Sequence, residues 1–354
     1  MNFIRTLVFA SLLLSACSAS VGDIPPTPVI PSEGMDQPEV PFEAFLTPSP
    51  EPFQFSLPLP GAEPITNWRP PLYPVPWAVS PHDHFYFIRP IAADQTNWPN
   101  ADYRYGGVFF GINVVHTGVD IPSPEGTPIM AAGPGTVVWA GWGLFRETPG
   151  DETDPYGLAV AIRHDFGYRD QQLYTIYAHM SEMNVVLGRR INAGDIVGFV
   201  GATGATTGPH VHFEVRLSGN SFFYTYNPEL WIAPPQGWGV LAGRVMDTRG
   251  RLLTSFEVTV QSEENGQTFI TRTYGVGGAV NPDPYYNENL VLGDLPAGIY
   301  KVSFRFEDRL RQTWVEVFPG QVAYFTFTGE RGFSSERPPV PTLDFLPVTP
   351  TSQP

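Results

Sequence analysis

The stretch HVHFEVRL, residues 210–217, alternates polar and apolar positions. His210, His212, Glu214 and Arg216 share one face of an extended chain, and Val211, Phe213, Val215 and Leu217 share the other. Period two marks a half-buried strand, whose apolar face packs on a core while the polar face here offers two imidazoles. Short strands broken by Gly and Pro turns recur in GTPIMAAGPGTVVWAGW (126–142) and RINAGDIVGFVGATGATTG (190–208). GLAVAIRHD (157–165) and LYTIYAHM (173–180) predict a hairpin, with the polar FGYRDQQ between them as its turn. Seven further strand-like runs lie between 239 and 329, among them GVLAGRVMD, FEVTVQS, NLVLGDL, GIYKVSFRF and VAYFTFTG, at the spacing of a β-sandwich. No long segment keeps a 3.6-residue apolar repeat, so the expected class is all-β.

Composition divides the chain. Residues 18–76 are rich in proline and read as an extended spacer, although Phe42, Phe45, Phe53 and Phe55 suggest that part of it lies against a folded domain. Residues 77–235 hold all seven histidines, residues 237–330 hold none, and residues 331–354 form a second proline-rich tail expected to be disordered. At the start, MNFIRTLVFASLLLSAC has the layout of a secretory signal over residues 1–17. Its apolar run is too short for a comfortable membrane span. Cys17 is the only cysteine, which excludes intramolecular disulfides. Leu14-Ser15-Ala16-Cys17 resembles the lipobox of bacterial lipoproteins, which implies lipidation at Cys17 and an extracytoplasmic, membrane-tethered protein. The net charge of −15 argues against a nucleic-acid partner, because a phosphate backbone needs a basic surface.

The candidate chemistry is concentrated in the histidine-bearing block. In HTGVD, His116 and Asp120 are four positions apart around Gly118, a spacing that lets both side chains point the same way. With a further histidine they make a plausible zinc set, since Zn²⁺ accepts imidazole nitrogen and carboxylate oxygen. His179 in YAHMS lies at the end of a strand. GATGATTG is not a phosphate loop: no lysine follows it, and its glycines read as turns that bring the HxH strand beside its neighbours. GxSxG, SxxK and HExxH are absent from the sequence.

HTGVD, YAHMS and GATGATTGPHVHFEV, in this order and at these separations, resemble lysostaphin-type or LytM-like zinc metallopeptidases, which cut peptide bonds of bacterial peptidoglycan. The similarity covers roughly residues 77–235. It implies a compact antiparallel β domain of the duplicated-hybrid-motif type, with one catalytic Zn²⁺ in a groove across a sheet. Carried over by motif, His116, Asp120 and His212 bind the zinc, and His179 and His210 orient water and stabilise the tetrahedral intermediate. Homologues that lost such residues act as activators of other wall hydrolases, so the intact set favours an enzyme acting on peptidoglycan. Glu214, on the same face as both HxH histidines, is open to roles beside the metal, with Arg216 or in solvent. His164 reads as a framework residue. His82 and His84 repeat the HxH spacing and stay open between a structural role, a groove-edge contact and a second metal site.

GRVMDTRGRLLTSFEVTV and LGDLPAGIYKVSF resemble, more faintly, the prealbumin-like or carboxypeptidase-regulatory-like sandwich. By fold analogy such a domain is a spacer or binding module, and removing Gly237–Glu330 is expected to leave wall cutting intact.

Overall fold

The computed structural model describes residues 71–92, 103–108 and 115–338; Cys17, the signal-like segment, most of the spacer and the end of the tail lie outside them. The described residues are β structure with short 3₁₀ turns. Strands β1 (Val119–Pro122), β2 (Pro128–Met130), β3 (Gly135–Trp142), β4 (Leu158–Tyr168), β5 (Gln171–Met183), β6 (Arg190–Ile191), β7 (Ile196–Val200), β8 (His210–Leu217) and β9 (Thr225–Tyr226) come first. They are followed by β10 (Trp238–Met246), β11 (Glu257–Ser262), β12 (Thr268–Arg272), β13 (Val280–Asn281), β14 (Leu290–Pro296) and β15 (Gly298–Phe306). The last three are β16 (Arg309–Val317), β17 (Val322–Thr328) and β18 (Gly332–Ser334).

The first nine strands and β13 form one sheet, whose path β9-β8-β5-β4-β3 carries the site, with β1 antiparallel to β8. One face of this sheet is filled by Val137, Val160, Ile162, Tyr177, Val211, Phe213 and Val215. On the other face Ala159, Ala161, Ile176 and Ala178 pack with Leu144 and Tyr156. Strand β8 is therefore buried on both sides: Glu214 and Arg216 lie as deep as Phe213, and only His210 reaches partial exposure. The half-buried strand read from the sequence thus carries a polar face that is covered, because Tyr156 and its neighbours lie over it.

The β4–β5 hairpin is longer than the sequence suggested. Pairing continues through Gly167↔Gln172 and Tyr168↔Gln171, so the turn is only Arg169 and Asp170, both with positive φ (49° and 61°). That is the geometry of a two-residue hairpin turn, here reached without glycine. Polar side chains hid the strand ends, since backbone pairing there does not depend on an apolar face.

Two four-stranded sheets, β14-β10-β17-β18 and β12-β11-β15-β16, enclose a second core that includes Leu241, Val260, Leu292, Tyr300, Phe304, Val317, Phe325 and Phe327. In the first of these sheets, side chains alternate between two cores. Leu241, Leu292, Ala323 and Phe325 face the sandwich interior, whereas Val240, Ala242, Val291, Val322 and Tyr324 join the core of the first sheet with Phe85, Phe87 and Trp231. A strand covered on both faces has no solvent side, so LVLGDL and VAYF read as continuous apolar runs. The core thus runs unbroken from the histidine-bearing block into the sandwich. Part of the expected tail belongs to this fold, because β18 pairs with β17. The end of the proline-rich spacer also joins it, Tyr73 stacking on Trp77 with ring centroids 4.3 Å apart and bonding through its N–H to Pro234.

Candidate metal centre

His212 sits on β8 directly opposite Asp120 on β1, so antiparallel register places the two side chains on one face. His116 arrives from the loop before β1. Gly118 lets that loop pass close over β8, since a Cβ there would overlap the Phe213 carbonyl and stand 3.0 Å from His212 Cε1. The result is three donors in contact. Asp120 Oδ1 lies 2.9 Å from His116 Nε2 and 2.9 Å from His212 Nδ1, and the two nitrogens are 3.0 Å apart. All three residues are buried.

Partners on the far side fix which nitrogen each ring presents. His116 Nδ1 donates to the Arg104 carbonyl at 3.1 Å, leaving Nε2 toward Asp120. His212 Nε2 donates to Glu214 Oε1 at 3.0 Å, leaving Nδ1 inward. Glu214 also accepts from Thr117 Oγ1, Tyr156 Oη and the Arg216 guanidinium. Burial opposes charge on these groups, yet the neighbouring charges prevail. Arg216 and His212 hold Glu214 down at about 2, and His116 and His212 hold Asp120 well below the usual carboxylate range.

Two further imidazoles stand beside this set. His210 Nε2 is 3.4 Å from Asp120 Oδ2, and the His179 and His210 rings are 4.7 Å apart. Each donates Nδ1–H to a backbone carbonyl, His179 to Thr203 and His210 to Gly208, both at 2.8 Å. A neutral ring so held keeps a bare Nε2. Burial lowers both, with the adjacent histidine charges adding to the effect on His179, which falls to about 3. His179 has φ of 63°, at a register shift between β4 and β5, so the bulge aims its ring. A groove lined by Tyr103, Pro122 and Thr207–Pro209 includes Asp120 and His210 in its wall.

The structure thus brings together His116, Asp120, His179, His210 and His212. It keeps the other histidines apart from them. His164 bonds Pro134 and Thr175 within the framework. His84 pairs with Asp283 at 2.9 Å, and His82 stacks on Tyr285 with ring centroids 3.8 Å apart. Sequence reasoning missed Arg104, Thr203 and Gly208 because they act through backbone carbonyls, which carry no residue signature. Tyr156 and Thr117 gave no signal either, since a tyrosine and a threonine in loops are common.

The donor chemistry fits zinc. Two imidazoles and a carboxylate are an ordinary Zn²⁺ set, and ligands at about 2.0–2.1 Å in a tetrahedron stand about 3.3 Å from one another, close to the spacing found. The three donors lie within 4.8 Å of one another.

The arrangement is a metal-type donor set on a β scaffold, and residues 114–223 match peptidase family M23: that segment is an M23 domain. The DD-carboxypeptidase/endopeptidase Mpg of Neisseria meningitidis serogroup B is 38% identical over 105 residues, 30% of this chain and 21% of Mpg. Lysostaphin of Staphylococcus simulans is 31% identical over 180 residues, 49% of this chain and 34% of lysostaphin. The peptidoglycan DD-endopeptidase ShyC of Vibrio cholerae is 36% identical over 104 residues, 29% of this chain and 21% of ShyC. The chain therefore spans only a fifth to a third of the length of these relatives.

Proposed function

We propose that the protein is a zinc endopeptidase that hydrolyses peptide bonds of peptidoglycan, with His116, Asp120 and His212 as metal ligands and His179 and His210 as the catalytic pair. The observation that carries this reading is the convergence of three buried donors with two imidazoles whose Nδ1 atoms are both tied to carbonyls. The M23 domain and the named activities of Mpg, lysostaphin and ShyC support the substrate class.

Zinc held there supplies a Lewis acid for a peptide carbonyl and lowers the pKa of water. The chain's own groups do the rest. His116 and His212 are oriented by Arg104 and Glu214, so neither must reorganise when the ion enters. His210, bare at Nε2 and beside the ligand set, accepts the proton of the attacking water. His179, neutral and fixed across the site, holds that water through Nε2. Once charged, His210 passes that proton to the departing amine. The groove beside Asp120 and His210 receives the peptide.

In the same reading, residues 77–235 are the peptidase domain and residues 237–330 the accessory sandwich, with a lipid at Cys17 holding the protein outside the cytoplasm. The spacer 18–76 then gives the catalytic domain reach toward the wall.

The test is zinc content together with release of soluble fragments from purified cell wall, for the full chain and for His116→Ala and His210→Ala. The expected result is about one zinc in the parent. His116→Ala should lose metal and cutting, and His210→Ala should keep metal but lose cutting. Zinc bound without release from any wall would make an activator of other hydrolases the better reading, and no zinc at all would overturn the assignment.

A further inference from the structure

We infer that Tyr274, a sandwich residue, is a positioning residue for the metal centre, because it braces the segment that orients His116. The inference rests on the proposed role of His116 as a metal ligand.

Segment 103–108 and His116 are tied together by three bonds. Gly106 N–H donates to the His116 carbonyl and His116 N–H to the Gly107 carbonyl, each at 2.8 Å, and His116 Nδ1 donates to the Arg104 carbonyl at 3.1 Å. The position of His116 Nε2 therefore follows the position of this segment. What holds the segment is Tyr274 together with β9, β13 and Glu229. Gly106 lies against Tyr274 so closely that a Cβ on it would overlap the tyrosine's own Cβ and ring, and its φ is 76°. The Tyr105 ring meets the Tyr274 ring edge-on, with centroids 5.5 Å apart, and the two form a small buried cluster with Val280. Tyr105 Oη donates to the Thr225 carbonyl at 2.7 Å and accepts from Asn281 N–H at 2.9 Å, the point where β13 pairs with β9. Arg104 pairs with Glu229, whose Oε2 also accepts from Gly293 N–H on β14 at 2.6 Å.

Tyr274 is itself fixed from behind. Its N–H bonds the Asn289 carbonyl at 2.8 Å, and its hydroxyl donates to the fully buried Glu288 at 2.7 Å. The ring is thus a rigid stop delivered by the sandwich onto a glycine one hydrogen bond away from His116. Loss of outer partners of a metal-bound histidine typically weakens metal binding about 10–100-fold. Truncating Tyr274 removes the stop rather than the partner and acts through it.

The experiment is zinc affinity of the full chain, by competition with a chelator, with thermal unfolding measured on the same samples. Tyr274→Ala is expected to raise the zinc dissociation constant about tenfold. Tyr274→Phe keeps the ring against Gly106 and loses the hydroxyl's bonds to Glu288 and Asn227, so it should bind zinc like the parent even where it melts earlier. Val260→Ala, in the sandwich core away from Gly106, supplies a stability loss without the brace and should leave zinc affinity unchanged. Tyr105→Phe keeps the core volume but frees the segment from Thr225 and Asn281, so it decides the matter if Tyr274→Ala fails to fold, and it too should weaken zinc binding. Parent-like zinc affinity in a folded Tyr274→Ala overturns the inference, as does parent-like affinity in Tyr105→Phe where Tyr274→Ala does not fold, or an equal loss in Val260→Ala. A parent that binds no zinc overturns the reading of the metal centre as well, which sets that failure apart from a failure of the brace alone.

Discussion

Glu214 Oε1 lies 3.0 Å from His212 Nε2, and both residues are buried on β8. Two positions apart on a strand, they share a face, so the carboxylate fixes the ring that presents Nδ1 to Asp120. Glu214→Gln removes that charge and should weaken zinc binding by about 10–100-fold, read by chelator competition. It also leaves Arg216, 1% exposed, without its charged partner, so the melting temperature should fall. Parent-like zinc affinity would show that the carboxylate does not tune the site.

Gly157 has φ of 62°, and a Cβ there would overlap the backbone of Thr203, whose carbonyl holds His179. Gly157→Ala should push Thr203 away and tilt His179 while leaving His116, Asp120 and His212 alone. Misplacing a reacting group by about 1 Å can cost on the order of 10²-fold in rate. The expected outcome is normal zinc content with wall cutting lowered on that order, and lost zinc would contradict the division of roles.

Stability should fall on the alkaline side through two groups near the contact between the sheets. Burial, then the neighbouring Asp283 charge, pushes Glu288 up to about 7 from an ordinary 4.5. Its contribution is therefore complete below 4.5 and lost as pH rises through about 7. Burial disfavours the charged form of His84, but Asp283 outweighs this and raises its pKa, so its contribution also persists below 6.5 and fades above its raised value. Melting temperatures at pH 6 and pH 8 should fall less steeply for Glu288→Gln than for the parent. Equal slopes would remove Glu288 from this account.

Cutting the chain after residue 236 should not yield a working peptidase. Phe85, Phe87 and Trp231, each fully buried, share a core with Val240, Ala242, Tyr286, Val291 and Tyr324. The fragment would expose that surface and lose the partners Asp83, His84 and Arg89 find in Tyr286, Asp283 and Asp294. Aggregation or loss of near-ultraviolet circular dichroism is expected. A fragment that melts cooperatively and cuts wall would restore the sandwich as a separable module.

The metal and catalytic candidates could be found from the sequence because ligating and acid-base chemistry needs particular side chains, and HTGVD, YAHMS and HVH spell them out. The strand between them was equally readable, since period two survives whether its polar face meets water or protein. Its environment was not readable: the alternation of HVHFEVRL is the same for a solvated strand and for one lying under Tyr156. Arg104, Thr203 and Gly208 left no trace, because the atom each contributes is one that every residue has.

The chain's own order of residues decided the all-β class, the two blocks and the five chemical groups, for these follow from local periodicity and side-chain identity. Folding in three dimensions decided which nitrogen each histidine presents, how deep Glu214 and Arg216 lie, and that one sandwich sheet is buried on both faces. Those properties depend on contacts between residues far apart in sequence, Tyr274 on Gly106 and Glu229 between Arg104 and Gly293 among them. Such contacts are set by packing and register across the whole molecule, and no local pattern encodes them.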